Sequence, residues 1–315
     1  MNLLIGAATI GFILALLGLG VFVSYRIYHT LDLTADGSFG VGAAVAAALL
    51  VRDMDPFAAT ALGAAAGVVA GGITGLVHTR LRVSSLLAGV LSSTALYTVR
   101  LFVMGSGNLS LASTESLVTQ TERIGQRLLG MPASVTLFGT TVSSGSIATL
   151  IATALLAGVV GLALAAFLGT DLGLAMRAAG NNPQMAKAVA IDVDRMVIAG
   201  LGLSNGLIAL SGALLAQFEG FANIQMGVAA LVAGLANLMV GEALFGKRPL
   251  VRWIAGAVAG AVVFRLVVAA AVRAGLNPNA LKLITALFVL AVLALPRLTQ
   301  GARRRRSAQV APGHG

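Results

Sequence analysis

The sequence predicts an all-α fold, a polytopic bundle of roughly nine hydrophobic helices that has a lipid bilayer as its solvent. Three observations lead there. Of 315 residues, 58% are hydrophobic and 10% charged, whereas a soluble domain carries about 25% charged residues. With a mean hydropathy of +0.95, the chain has too few polar groups to cover a water-facing surface. Long runs exclude charge almost entirely, several of them near the ~20 residues that a helix needs to cross a bilayer. The 39 glycines suit helices whose backbones approach closely in lipid.

The runs define the elements in order. The first, residues 3–23, is 21 residues long and follows no positive segment, so it reads as a retained helix and not as a cleaved leader. The second, 38–51, has only 14 residues and reads as a half-helix, or as a helix that starts below the membrane surface. Further runs occupy 57–77, 83–103 (Arg100 near its end), 144–168, 197–217, 227–244, 253–272 (Arg265 inside it) and 280–295, which contains Lys282. Together they form one membrane domain, 1–296. The segment 297–315, with Arg297 and Arg303 to Arg306, reads as a disordered basic tail.

Lys and Arg set the orientation, because short cytoplasmic loops hold an excess of them. An outside N-terminus puts Arg26, Arg80, Arg82, Arg177, Lys187, Arg195, Lys247, Arg248, Arg252 and the tail arginines in the cytoplasm, against Arg52, Arg100, Arg123, Arg127, Arg273 and Lys282 outside. That bias of 14 to 6 predicts N-out and C-in. The net charge of +10 is thus a topology signal, and nucleic acid is not expected as a partner. With no cysteine, disulfides and thiolate metal sites are excluded.

The heptapeptide from Gly40 matches that from Gly227 at five of seven positions. The helices around the two copies run in opposite directions, as in the inverted repeats of transporters. In the third run, Gly63, Gly67, Gly71 and Gly75 share one helix face, read first as close packing and second as a pore-lining face. Gly256 and Gly260 repeat the spacing.

Enzyme signatures are scarce. The stretch from Gly241 to Arg248 nearly matches a phosphate-binding loop, but Arg248 and Pro249 stand where the loop needs Ser or Thr after its Lys, and an apolar helix precedes it instead of a strand. Candidate residues lie elsewhere. Asp36 and Ser38 are expected to cap the short second helix, and with Gly40 they mark a broken helix that could border a translocation path. Ser204, Asn205 and Asn237 are polar groups inside spans, suited to interhelical hydrogen bonds or to solute contact. Gln217, Glu219, Asn223 and Gln225 cluster between two spans on the outer side and either meet a partner or are solvated. Arg265, charged within a span, is expected to reach outward or to pair with an acid.

The loop 172–196 is the most informative segment. Gly180 is expected to break the chain, after which Asn182 and Pro183 read as an N-cap and first helical residue. Met185, Ala186, Val189 and Ala190 then share one face of a short helix outside the bilayer, which needs a cover: the bundle, the membrane, or a cytoplasmic subunit.

Here the sequence resembles a known family. Arg177, Gly180, Asn181, Asn182, Pro183, Ala186 and Ile191, followed by the apolar run from Ser204 to Gln217, resemble the permeases of bacterial ABC importers of the branched-chain amino acid and ribose type. Within that group the chain looks most like permeases labelled as tryptophan/tyrosine or amino-acid transport components. The stretch from Asp32 to Phe39 is also specific, and the matching segments cover most of the chain. The resemblance implies a membrane-spanning permease subunit in a bacterial inner membrane. It implies pairing with a second copy or a sister permease, docking on two ATP-binding subunits, and substrate delivery by an extracytoplasmic binding protein. ATP and magnesium would sit on the partner subunits, with no cofactor or metal and no catalytic residue on this chain. Arg177, Gly180, Asn182, Pro183, Ala186, Lys187 and Ile191 would form the ATPase-coupling segment, Asp36, Ser38, Gly40, Asn205 and Asn237 the path, and Gln217, Glu219 and Asn223 the binding-protein contact. One departure is Ala190, where many relatives have Gly; an Ala there suits a helical conformation. The alternative is a self-sufficient secondary transporter or channel, which explains the half-helix equally well and the docking-like loop less well.

Overall fold

The computed structural model describes residues 2–128, 134–137, 140–246 and 249–275. The first helix, α1 (Asn2–Phe22), widens into a π turn over Val23–Ile27. Then come α2 (Thr34–Leu50), α3 (Pro56–Arg80) and α4 (Ser85–Met104). The long loop after α4 holds strand β1 (Asn108–Ser110), helix α5 (Leu117–Leu128) and the hairpin β2 (Ser134–Leu137) and β3 (Thr140–Ser143). The second half contains α6 (Ser144–Phe167), α7 (Asp171–Asn181), α8 (Pro183–Ala188), α9 (Val193–Glu219), β4 (Phe221–Asn223), α10 (Ala230–Phe245) and α11 (Leu250–Arg273).

Among the described residues, six helices are long and apolar enough to cross a membrane, and α2 and α10 are shorter apolar helices. These account for eight of the predicted hydrophobic runs. The ninth run, 280–295, and the basic tail 297–315 lie outside the described residues. Two boundaries differ from expectation. Helix α2 begins at Thr34 instead of Ser38, because the Asp32 carboxylate accepts from the N–H of Thr34. Helix α10 begins at Ala230 and has 16 residues, so the run 227–244 is a second short helix and not a full span.

Helices α1 and α9 form the centre. In α9, 67% of the most apolar stretch is buried, against 17% in α4 and α6. Ile13, Leu16, Leu17, Leu19 and Phe22 of α1 pack with Ile208 of α9 and Leu238 of α10. Apolar contact alone does not hold helices together in lipid, so packing and interhelical hydrogen bonds must. Ser204 donates to Gly20 O at 2.7 Å, Ser211 to Ile13 O at 2.8 Å, and Asn237 Nδ2 to Leu14 O at 3.2 Å. Ser204 and Asn237 thus act between helices.

The glycine face of α3 lies against α9. A Cβ at Gly67 would sit 2.3 Å from Ala209 Cβ, and one at Gly71 2.1 Å from Leu201 O. The stripe is a packing surface. Gly256 and Gly260 of α11 do the same for α10, facing the backbone at Gly241 and Asn237. The near-match to a phosphate-binding loop resolves here as well, since residues 241–245 are the last turn of α10. Arg265 of α11 lies within electrostatic range of Glu219 at the end of α9, but forms no ion pair with it, and its Nε has no partner among the described residues.

The stripe yields a paired prediction. Gly71→Ala is expected to cost about 1–3 kcal/mol through overpacking. Gly72→Ala next to it, where a Cβ meets nothing within 4 Å, should be neutral or gain up to about 1 kcal/mol from helix propensity. Thermal unfolding in detergent, followed by size-exclusion chromatography, separates the two.

Candidate functional site

Helices α2 and α10 begin inside the bundle and meet head to head. Asn205, near the middle of the 27-residue α9, donates to Asp32 Oδ2 at 2.6 Å, which puts the start of α2 at mid-depth. Asp36, two residues into α2, does not cap its own helix. Its carboxylate accepts from the N–H of Ala229 at 3.2 Å and of Leu231 at 2.9 Å, capping α10. Each N-terminus carries about half a positive charge and unpaired N–H groups. Asp32 answers one and Asp36 the other.

Arg100 completes the junction. It lies near the end of α4, as the run 83–103 implied, and is 5% exposed. Its guanidinium donates to Ile224 O at 3.0 Å and Met226 O at 2.8 Å, holding the segment that leads into α10. Gly227, at φ +99°, brings this segment against α2, with its Cβ position 2.3 Å from Asp36 O and 3.1 Å from Gly40 N. The two glycines that open the sequence repeat therefore touch at the junction. Beside it, the hydroxyls of Thr34, Thr74 and Ser92 form a chain at 2.9 and 2.8 Å. Asp32, Thr34, Thr74, Ser92 and Arg100 were absent from the path residues named from sequence, although Asp32 and Thr34 lie in the same motif as Asp36.

The path candidates are thereby sorted. Asp36, Gly40 and, through Asp32, Asn205 come together. Ser38 is fully buried in α2, and neither its hydroxyl nor the Asn205 Oδ1 has a partner among the described residues. Asn237 lies apart, between α1 and α11, where its Oδ1 is likewise unpartnered.

The far end, opposite α8, is closed by the pairing of β1 with β4, which sets Asn108 opposite Asn223. Gln217 is not on that surface. It is 3% exposed, accepts from Leu117 N at 2.9 Å and donates to Thr60 Oγ1 at 2.7 Å. It ties α5 and α3 to α9 and is unavailable to a partner. Glu219 is exposed and Asn223 partly so.

At the α8 end, Asn182 caps α8 by accepting from Met185 N at 3.0 Å, with Pro183 in the first turn. The single apolar face expected there is divided. Ala186 is fully buried against Ala179 and Val193, whereas Met185 and Val189 point outward, 58% and 60% exposed. Gly180 does not break the chain; it lies within α7, where its Cβ position is 1.9 Å from Ile27 O. Arg177 reaches Leu168 O at 3.5 Å, and Lys187 is exposed. Ile191 closes the turn by donating its N–H to Ala186 O. Ala190 is not helical: its φ is +62°, a conformation that favours glycine. The Tyr28 hydroxyl donates to Met196 O, and burial pushes its pKa up, so it stays a neutral donor. Nearby, Arg26 pairs with Glu242, which also accepts from Trp253 Nε1 at 2.9 Å.

Comparison with known proteins gives this arrangement a class. Residues 3–294 match the family described as branched-chain amino acid transport system / permease component. The chain belongs to this family, and it is the membrane permease subunit of an ABC importer. A tyrosine transport system permease protein of Clostridioides difficile (strain R20291) is 33% identical over 298 residues, covering 95% of this chain and 92% of its own. An uncharacterized protein of Rickettsia prowazekii (strain Madrid E) is 31% identical over 245 residues, 78% of this chain and 79% of that one. A solved structure described as an inward-facing ABC transporter of metal-chelate type aligns with a TM-score of 0.47 and 14% identity, over 93% of this chain and 83% of that one. Family membership sets aside the self-sufficient transporter.

Two outcomes follow from the geometry. Asp36→Ala leaves two N–H groups of α10 without an acceptor, at a cost of about 1–3 kcal/mol. Asp36→Asn keeps one acceptor oxygen, and its unfolding midpoint should fall between those of Asp36→Ala and the parent. Ala190→Gly should raise stability by about 1 kcal/mol, by relieving the left-handed conformation. The same unfolding assay reads both.

Proposed function

We propose that the chain imports an amino acid, with aromatic ones such as tyrosine foremost, across a bacterial inner membrane. ATP hydrolysis on two separate subunits drives the cycle. The N-terminus lies outside and the α8 end in the cytoplasm, in keeping with the excess of Lys and Arg on that end. The observation that carries this reading is the construction of α8. It is a six-residue helix between two longer ones, seated by Ala186 and presenting Met185 and Val189 outward. An apolar pair on a short rigid helix near Arg177 and Arg195 suits a groove on an ATP-binding subunit. Movement of α8 passes into α9 through Val193 and into the π turn through Gly180.

The solute path runs past the α2–α10 junction, where Asp36, Arg100 and the hydroxyl chain supply polar groups at mid-depth. A second permease copy or a sister permease forms the other wall. An extracytoplasmic binding protein docks on the far end, over Glu219 and Asn223. The C. difficile relative named for tyrosine transport supports the substrate class.

The test uses the permease co-expressed with its ATP-binding subunits. Met185→Glu with Val189→Glu is expected to abolish co-purification of those subunits and to lower tyrosine uptake into proteoliposomes more than about tenfold, as loss of an interface anchor does. Its unfolding midpoint should match the parent. Ala186→Asp is a poorer probe, because it places a charge in a fully buried site and unseats α8. Normal co-purification and uptake by the double variant would remove α8 from the docking role.

A further inference from the structure

Beneath α8 lies a cavity of about 590 Å³, within the range of small-molecule sites. Pro183 and Lys187 of α8, Asp194 and Val197 at the start of α9, and Arg82 in the turn between α3 and α4 line it, together with His78 at the end of α3 and residues from α7 and from just after the π turn. The charges of Arg82, Lys187 and Asp194 form no hydrogen bond or ion pair with any described residue. Arg82 is held at φ +55°, an unfavourable conformation for a side chain of its size. Ser84, which caps α4, also lines the cavity, so the positive end of that helix faces it.

A cation on α8, a second cation beside the N-terminus of α4, an acid on α9, and the apolar Pro183 and Val197 match one chemical class. A free amino acid offers a carboxylate for Arg82 and Lys187, an ammonium for Asp194, and a side chain for Pro183 and Val197. We propose that this cavity binds a zwitterionic amino acid on the α8 side of the membrane and that its occupancy restrains α8. The inference rests on the importer reading above. Residues 183 and 187 share one flank of α8, and 185 and 189 lie about 200° around the helix from them. An occupant therefore presses on the flank opposite the docking face, and accumulated product slows the transporter that delivers it.

The experiment uses the complete importer in proteoliposomes loaded with ATP and graded unlabelled L-tyrosine. It follows initial uptake of labelled L-tyrosine presented by the binding protein. Internal tyrosine is expected to inhibit. Arg82→Gln and Asp194→Asn should each raise the half-inhibiting concentration about tenfold, as loss of a charge-assisted hydrogen bond does, with the uninhibited rate unchanged. Uptake indifferent to internal tyrosine, or inhibited equally in parent and variants, overturns the proposal and leaves the importer reading intact. Absence of ATP-driven tyrosine uptake even without internal tyrosine overturns the proposed substrate class, and the product-inhibition proposal with it. Equilibrium binding of labelled L-tyrosine to the purified complex, weakened by both variants, is the second readout. Competition by N-acetyl-tyrosine or inorganic phosphate as strong as by L-tyrosine would mark a plain anion site and refute the zwitterion.

Discussion

A backbone N–H at membrane depth has no water to turn to, and each one left unpaired costs several kcal/mol. The permease contains two helices that start there, α2 and α10, aimed at one another. Like-signed helix ends repel, so the meeting is tolerable only because two carboxylates from the start of α2 and one guanidinium from α4 are brought to it. Asp36 belongs to one short helix and caps the other, which joins the two halves of the bundle. Arg100 takes up the carbonyls of the preceding segment, and Asn205 anchors Asp32 to α9. Remove this set of contacts and neither short helix has a reason to begin where it does.

The remainder of the bundle serves to keep those starts in register. The glycine face of α3 and the small residues of α9 let two backbones run in near contact, so α9 stands at a fixed distance from α2. Hydroxyl and amide groups on α9 and α10 bond to α1 carbonyls, giving the direction that apolar contact in lipid lacks. The far end adds a β-pairing and Gln217, which draws α5 and α3 to α9.

The long spans were legible in the sequence because charge exclusion over ~20 residues has few other causes. So was the α8 cap, since Asn followed by Pro is a local signal with a local reason. Less legible was anything set by a distant partner. The apolar run from Gly227 continues smoothly into α10, and nothing within it reveals that the helix waits until Ala230 for the carboxylate of Asp36. Gln217 resembles its polar neighbours Glu219 and Asn223, and only the approach of Thr60 and Leu117 takes it inside. Ala190 reads as an ordinary helical alanine until the return of the chain into α9 requires a left-handed residue. Ala186 and Met185 look alike in hydropathy, and only the position of α7 and α9 decides which one is covered.

The clasp between Arg26, Glu242 and Trp253 has a spectroscopic consequence. The chain contains one tryptophan, and it sits at this joint, edge-on to Phe22 at 5.1 Å and hydrogen-bonded to Glu242. Helix α10 is thus fastened at its start by Asp36 and near its end by a group that is also the only indole in the subunit. Intrinsic emission therefore reports a single place, the seam between the end of α1 and the last turn of α10. Any step of the cycle that parts these helices wets the indole and shifts its colour, and one that moves them as a unit leaves it dark to the change.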